Sequence, residues 1–235
     1  MDESSIERRE TPQDVIDVVR GKQIVRLDGL ALRRQAVAYE RVVVDLGAGD
    51  GRWAYRLARA HPAWFCVAVD ANADGLREVS FRAGRKPGRG GAANAWCVRA
   101  AVDALPPALD GLADEIRVHF PWGSLLRTVL LPDVDLLRRI ARVGRPGAAF
   151  HARVNASIFD DPHLVTRLRL PSSGNENAEM KAASYAAAGI RLETWSVIHD
   201  EAPTSWARRL TRGSVVLVLA FDGTIAAKTG AFEVR

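Results

Sequence analysis

From residue 41 onward, short apolar runs alternate with segments whose apolar positions recur at helical spacing. The runs Arg41–Leu46, Trp64–Asp70, Ala95–Arg99, Glu115–Phe120, Ala148–Val154, Ile190–Ile198 and Ser214–Phe221 read as seven strands. Between them, Gly51–Ala60, Ala73–Ala83, Asp133–Val143 and Asn177–Ala188 read as amphipathic helices. Strands and helices alternating in this way predict βαβ units, and so an α/β fold with helices on both faces of a mostly parallel sheet. Ahead of this block, Lys22–Leu27 fits an edge strand or half a hairpin, and Asp28–Glu40 a short helix. The expected organisation is an N-terminal extension over residues 1–40, one core over 41–225 and a tail over 226–235. Two stretches interrupt the rhythm, Arg82–Gly91 and Asp160–Asn175, and connections of this length in α/β domains tend to carry function.

Composition narrows the class without choosing a function. A chain of 235 residues that is 48% hydrophobic can bury a substantial core, which excludes disorder as its main state. No run approaches the ~20 apolar residues of a membrane span. The first residues, MDESSIERRETPQD, lack the apolar segment of a secretory leader. Cys66 and Cys97 sit in apolar runs without metal-ligand spacing, so a cytoplasmic protein with no metal and no disulfide framework is expected. Lys and Arg total 33 against 28 acidic residues, and only four of the 33 are lysine. Arginine suits phosphate and stacks on bases, but a GC-rich genome gives the same bias, so the excess counts only where it clusters. The five histidines form no ligand or nucleophile pattern, and His119 reads as an ordinary strand residue.

Chemistry concentrates where the run Val42–Leu46 enters Gly47-Ala-Gly-Asp-Gly51. Glycines at 47, 49 and 51 let the chain turn tightly and approach a ligand closely. Asp70 ends the next strand, where a carboxylate can accept from both hydroxyls of a ribose. The pair indicates an adenosine-containing cofactor. A dinucleotide would bring its pyrophosphate against Asp45 and Asp50, whereas S-adenosyl-L-methionine brings a sulfonium and an ammonium that carboxylates favour. Asp103, after the third strand, either reaches the adenine amino edge or simply caps a helix.

Two tryptophan motifs suggest the substrate. The fourth strand ends in Phe120-Pro-Trp-Gly-Ser124, at the end of the sheet where α/β proteins bind ligands. Amino methyltransferases often carry an Asn/Asp-Pro-Pro-aromatic motif there to take a proton from an exocyclic amine. Phe-Pro-Trp has no such acceptor, which suits a ring nitrogen that attacks through a lone pair and has no proton to lose. Trp206, in Thr204-Ser-Trp-Ala-Arg-Arg-Leu210, falls between the last two strands, and two tryptophans could hold an extruded base between them.

Together, Asp45–Gly51, Lys86–Gly91, Phe120–Leu126 and Thr204–Leu210 resemble the kanamycin–apramycin resistance methyltransferases, from about Gly21 to Ile225. The glycine loop is generic to the superfamily; the two tryptophan motifs in this order are specific. Those enzymes use S-adenosyl-L-methionine to methylate N1 of adenine 1408 (standard rRNA numbering) in the 16S rRNA decoding site of the 30S subunit. The resemblance implies a class I methyltransferase fold, Rossmann-like, with seven strands and an N-terminal hairpin, and a monomer that releases S-adenosyl-L-homocysteine. It implies that Asp45 and the loop Gly47, Ala48, Gly49, Asp50 and Gly51 hold the methionine end. Asp70 and Ala71 would meet the ribose, Val102 and Asp103 the adenine, and Phe120 the transferred methyl. Trp122 and Trp206 would hold the target base, with Ser124 and Thr204 as polar neighbours. Arg85, Lys86, Arg89, Arg208, Arg209 and Arg212 would grip rRNA phosphate, and Arg167 or Arg169 the flipped nucleotide. Only Arg212 stands where the family often carries a further basic cluster, and Arg82–Arg89 is less charged than lysine-rich members. The same cofactor residues would also serve a methyltransferase of another RNA or of a metabolite, or a cofactor-binding protein without catalysis.

Overall fold

The computed structural model describes residues 15–170, 178–200 and 216–227. Nine strands form one sheet. In chain order these are β1 (Val15–Arg20), β2 (Gln23–Asp28), β3 (Arg41–Leu46), β4 (Trp64–Asp70), β5 (Ala95–Arg99), β6 (Ala113–His119), β7 (Gly144–Asn155), β8 (Ile190–Asp200) and β9 (Val216–Ile225). The helices are α1 (Gly29–Ala36), α2 (Arg52–Ala60), α3 (Ala73–Ala83), α4 (Gly123–Leu130), α5 (Val134–Val143), α6 (Pro162–Leu168) and α7 (Ala178–Ala187).

Spatial order in the sheet is β2-β1-β5-β4-β3-β6-β7-β9-β8. The five central strands are parallel, and an antiparallel pair flanks them at each edge. The seven expected strands and the N-terminal hairpin account for all nine, as the class I methyltransferase expectation requires. The chain leaves β3 toward β4 and β5 but returns on the other side as β6 and β7. The strand order therefore reverses between β3 and β6, which opens a crevice beyond their carboxyl ends.

Burial explains why these segments choose these elements. β3 and β4 are hidden on both faces and read as unbroken apolar runs, as parallel strands between helix layers must. Val42, Val44 and Leu46 face the larger core with Leu126, Leu137 and Tyr185, while Val43 faces the smaller one with Ala54, Leu76 and Val79. The N-terminal pair β1–β2 extends the sheet through Val18, which pairs with Val98.

Several boundaries differ from the sequence expectation. The strand expected to run through Phe120 stops at His119, because Phe120 adopts φ +48° and turns the chain. Gly51 precedes α2 rather than beginning it, in the left-handed region at φ +67°. Asp103 caps no α-helix; it lies inside a short 3-10 turn, Val102–Ala104. The stretch expected as one long connection after Asp160 contains α6, which Asp161 starts by accepting from the amides of His163 and Leu164, with Pro162 at its first position. α4, directly after Phe-Pro-Trp, was not expected at all.

Candidate active site

The crevice at the strand reversal holds a cavity of about 720 Å³. Its walls are the segments that follow four parallel strands: Gly47–Asp50 after β3, Asp70–Asn72 after β4, Ala100–Asp103 after β5, and His119–Leu125 after β6, with Gly75 from α3. Each expected cofactor residue except Asp45 and Gly51 lines it. Asp45 lies just behind, 1% exposed, with its Oδ1 3.4 Å from His119 Nδ1.

Backbone geometry shapes the glycine turn. The amides of Gly47 and Ala48 both donate to the Val69 carbonyl, which locks the turn against β4. Gly47 sits at φ +72°, and a Cβ there would stand 2.7 Å from Leu125 Cδ2. Gly49, at φ +60°, is different: a Cβ built on it meets no protein atom within 4 Å. Asp70 accepts from the Gly49 amide with Oδ2 and from the Asn72 amide with Oδ1, each at 2.8 Å. A carboxylate has about four acceptor sites, so lone pairs remain for a ligand hydroxyl.

The donor set fits S-adenosyl-L-methionine. Asp50, Asp70 and Asp103 line the cavity, and no lysine or arginine does so among the described residues. Such walls oppose a pyrophosphate and favour a ligand carrying a sulfonium and an ammonium. The open space at Gly49 and the acceptors of Asp70 offer a cradle for its body.

A second cavity of about 210 Å³ adjoins the first. Phe120, Pro121 and Trp122 line both, forming the wall between them. Its far side is built from Val154 and Asn155 of β7, Ser157, Ile158, Asp161 and Leu164. Trp122 is 38% exposed, far from a core residue. Ser124, in the first turn of α4, faces the larger cavity.

The basic segment after α3 is ordered by its own backbone. The Arg89 and Gly91 amides both donate to the Lys86 carbonyl. Tyr55 of α2 donates to the Gly90 carbonyl at 2.5 Å, tying this loop to the helix that follows the glycine turn. Arg85, Lys86 and Arg89 are exposed on it, with the Arg85 guanidinium 5.2 Å from the centre of the Phe81 ring. Arg167 and Arg169 are exposed at the end of α6.

Comparison with known proteins agrees with this geometry. The family model described as "NpmA: 16S rRNA (adenine(1408)-N(1))-methyltransferase" matches residues 17–224. The chain belongs to the 16S rRNA (adenine(1408)-N(1))-methyltransferase family. A protein of that description from Streptoalloteichus tenebrarius is 36% identical over 214 residues, covering 88% of this chain and 98% of its own. A solved structure from Catenulisporales acidiphilia, a tryptophan-to-alanine variant of such an enzyme with its cosubstrate SAM, superposes with a TM-score of 0.84 at 34% identity, covering 91% of this chain and 98% of its own. The aminoglycoside resistance methyltransferase NpmB1 gives a TM-score of 0.76 at 33% identity, covering 90% of this chain and all of its own, 100%. As a member of this methyltransferase family, the protein is an enzyme that uses S-adenosyl-L-methionine. No helix among the described residues is long and apolar enough to cross a membrane.

For this methyltransferase, the structure brings together the glycine loop, Asp70, Ala71, Val102, Asp103, Phe120, Trp122 and Ser124. Thr204, Trp206, Arg208, Arg209 and Arg212 lie outside the described residues. Sequence reasoning did not assign Asn72 and Gly75 to the larger cavity, or Asn155, Ser157 and Asp161 to the smaller. His119 is the buried strand residue that was expected, and it also forms part of the wall of the larger cavity. Its position directly before Phe-Pro-Trp was the available signal.

Proposed function

We propose that this enzyme transfers the methyl group of S-adenosyl-L-methionine to N1 of adenine 1408 in 16S rRNA of the 30S subunit, with resistance to aminoglycosides as the consequence. The observation that carries the reading is the Phe120-Pro121-Trp122 wall shared by two cavities. A methyl group delivered from the larger cavity to a base in the smaller one crosses at this wall.

Asp70 and Ala71 take the ribose, Val102 and Asp103 the adenine ring, and the Gly47–Gly51 turn with Asp45 the methionyl end. S-adenosyl-L-methionine bound there supplies an electrophilic methyl and leaves as S-adenosyl-L-homocysteine. The wall offers neither carboxylate nor amide, and none is needed, because N1 of adenine has no proton to lose. Its task is positioning. Trp122 presents a ring face for the base, with Trp206 as its partner from the β8–β9 connection. N1-methyladenine is cationic, and both an indole face and the Asp161 carboxylate favour such a charge. Arg85, Lys86 and Arg89 then serve as phosphate contacts that dock a monomer on the subunit in the cytoplasm, and Arg167 or Arg169 steadies the flipped nucleotide.

The test is transfer of labelled methyl to purified 30S subunits, followed by primer extension across the decoding site. N1-methylation blocks Watson–Crick pairing, so a stop at adenine 1408 is expected. Label with a stop elsewhere would leave a methyltransferase with another target. Absence of label from 30S subunits would overturn the substrate assignment.

A further inference from the structure

A cleft of about 510 Å³ opens between the end of β1, β5 and the last turns of α3, and it shares no lining residue with either cavity of the site. Polar ties hold its walls in place. The Gly21 amide, in the turn between β1 and β2, donates to Ser80 Oγ at 2.9 Å, and Ser80 donates in turn to the Arg77 carbonyl. The Arg77 guanidinium reaches back to the Lys22 carbonyl.

Charge sets this cleft apart from the surface around it. Nearby, Arg77 pairs with Asp74, Arg82 with Glu78, and Arg26 and Arg99 both with Asp17. The two arginines that line the cleft pair with no carboxylate among the described residues, and each lies over an aromatic ring instead. The Arg20 guanidinium is 5.0 Å from the centre of the Trp96 ring, and that ring stands edge-on against Phe65 in the core, with centroids 5.7 Å apart. Arg85 covers Phe81 in the same way, although Phe81 is itself 59% exposed. No aspartate or glutamate lines the cleft among the described residues. A guanidinium resting on a ring keeps its in-plane fork of N–H donors free, already oriented for a phosphate.

We propose that this cleft is a further docking site for the sugar–phosphate backbone of 16S rRNA, with Arg20 and Arg85 as its phosphate ligands. The inference rests on reading the protein as a methyltransferase that docks on the 30S subunit, which supplies the polyanion. Arg85 belongs both to the cleft and to the basic loop that ends at Gly91, so the RNA surface continues from Lys86 and Arg89 to the N-terminal hairpin. The contact positions the subunit and reads no base: the cleft has no asparagine or carboxylate for a base edge, and its one glutamine, Gln35, donates to the Tyr39 hydroxyl.

The experiment measures the affinity of the full-length protein for purified 30S subunits over a salt series. Arg20→Ala is expected to weaken binding about three- to tenfold at about 0.1 M salt and to lower the slope of log affinity against log salt by about 0.7–0.9, as the loss of one phosphate contact requires. Arg20→Lys, which keeps the charge, is expected to recover the slope. A merely structural role would lower the melting temperature and leave the slope alone. A second measurement identifies the partner. Cys66 and Cys97 are both buried, so an iron chelate on Lys22→Cys reports from beside the cleft, and its hydroxyl radicals are expected to cut the 16S rRNA backbone. An unchanged slope in Arg20→Ala would overturn the inference. Weakened binding without rRNA cuts from position 22 would overturn it too, and would turn the cleft toward a ribosomal protein. Both results leave the proposed function standing as long as the native protein binds and methylates 30S subunits. Failure of the native protein to bind them would overturn the function and the inference together.

Discussion

The carboxylate of Asp70 holds the amide of Gly49 at 2.8 Å, so a residue that lines the larger cavity also fixes the glycine turn beside it. Its other oxygen fixes the Asn72 amide at the entry to α3. An amide side chain has one acceptor oxygen and can replace only one of these bonds. Asp70→Asn and Asp70→Ala are expected to weaken S-adenosylmethionine binding by about 10- to 100-fold, since hydrogen bonds to charged groups contribute about 1.5–3 kcal/mol. Calorimetry beside a thermal melt checks it. A lowered melting temperature with unaltered affinity would confine Asp70 to a structural task.

Gly47 and Gly49 share a left-handed backbone but differ in what surrounds them. A Cβ at 47 collides with Leu125 Cδ2 at 2.7 Å, whereas one at 49 finds space free of protein. Gly47→Ala should therefore cost mainly stability, by about 2–4 kcal/mol from strain and overpacking together. Gly49→Ala should lose only about 1–2 kcal/mol of stability but suffer the larger loss of cofactor affinity. Melting curves and binding constants for the two variants decide between them, and the reverse ordering would remove the cradle from the site.

Trp122 offers the second prediction about selective loss. Base–aromatic stacking is worth about 1–3 kcal/mol, so Trp122→Ala should reduce kcat/KM for 30S subunits by about 5- to 150-fold. Trp122→Phe, which keeps a ring face, should recover much of it. Cofactor affinity should change far less than turnover in both variants. Equal losses of affinity and turnover would make Trp122 a cofactor residue instead.

The sheet was legible because parallel strands buried on both faces leave unbroken apolar runs; β3 and β4 fell where Arg41–Leu46 and Trp64–Asp70 indicated. Legibility failed where local chemistry overrides the pattern. Phe120 at φ +48° ends β6 one residue early, and nothing in a non-glycine residue announces that conformation. α6 rests on one Asp161 cap and one Pro162, a signal two residues long inside a stretch that otherwise reads as loop. The glycine loop and Asp70 were visible as a motif because their chemistry is local. His119 and Asp161 were not visible as cavity walls, because those cavities are closed by elements brought together across the sheet.

A charged network on β3, β6, β7 and β9 makes stability depend on acid. Burial pushes the Glu115 carboxyl up, but the Arg117 charge and hydrogen bond, aided by Arg41, outweigh it and hold the group below its ordinary 4.5. Asp222 is likewise held below 3.8: burial opposes, and bonds from Arg153 and His151 prevail. For His151, burial dominates over the Asp222 bond and lowers it from 6.5. All three groups resist the proton more when folded than when unfolded, so stability is full at higher pH and falls as the solution is acidified. His151 contributes first, below about pH 6.5, and the carboxylates below about pH 4.5. Melting temperature against pH should show both declines, and His151→Gln should abolish the first alone. A melting temperature that stays flat from neutral pH to about pH 5 would contradict the assignment for His151.

The last prediction concerns the basic loop. The carbonyl of Arg85 lies where a Cβ on Gly91 would be, 1.8 Å away, so the loop closes on itself only with glycine there. That closure presents Arg85, Lys86 and Arg89 outward on a backbone that is already ordered, leaving only their side chains to be fixed on docking. Each phosphate contact releases counterions, so its removal should lower the slope of log affinity against log salt by about 0.7–0.9. Lys86→Ala and Arg89→Ala should each show this decrement for 30S binding and add when combined, since the effect is electrostatic and exposed. Arg85→Ala should lose the same increment of slope and in addition its contact with Phe81, a residue 59% exposed beside it. Turnover at saturating subunit concentration should be untouched, because none of the three reaches either cavity. Affinities measured over a salt series test this, and slopes equal to that of the native protein would mean that the loop faces away from the RNA.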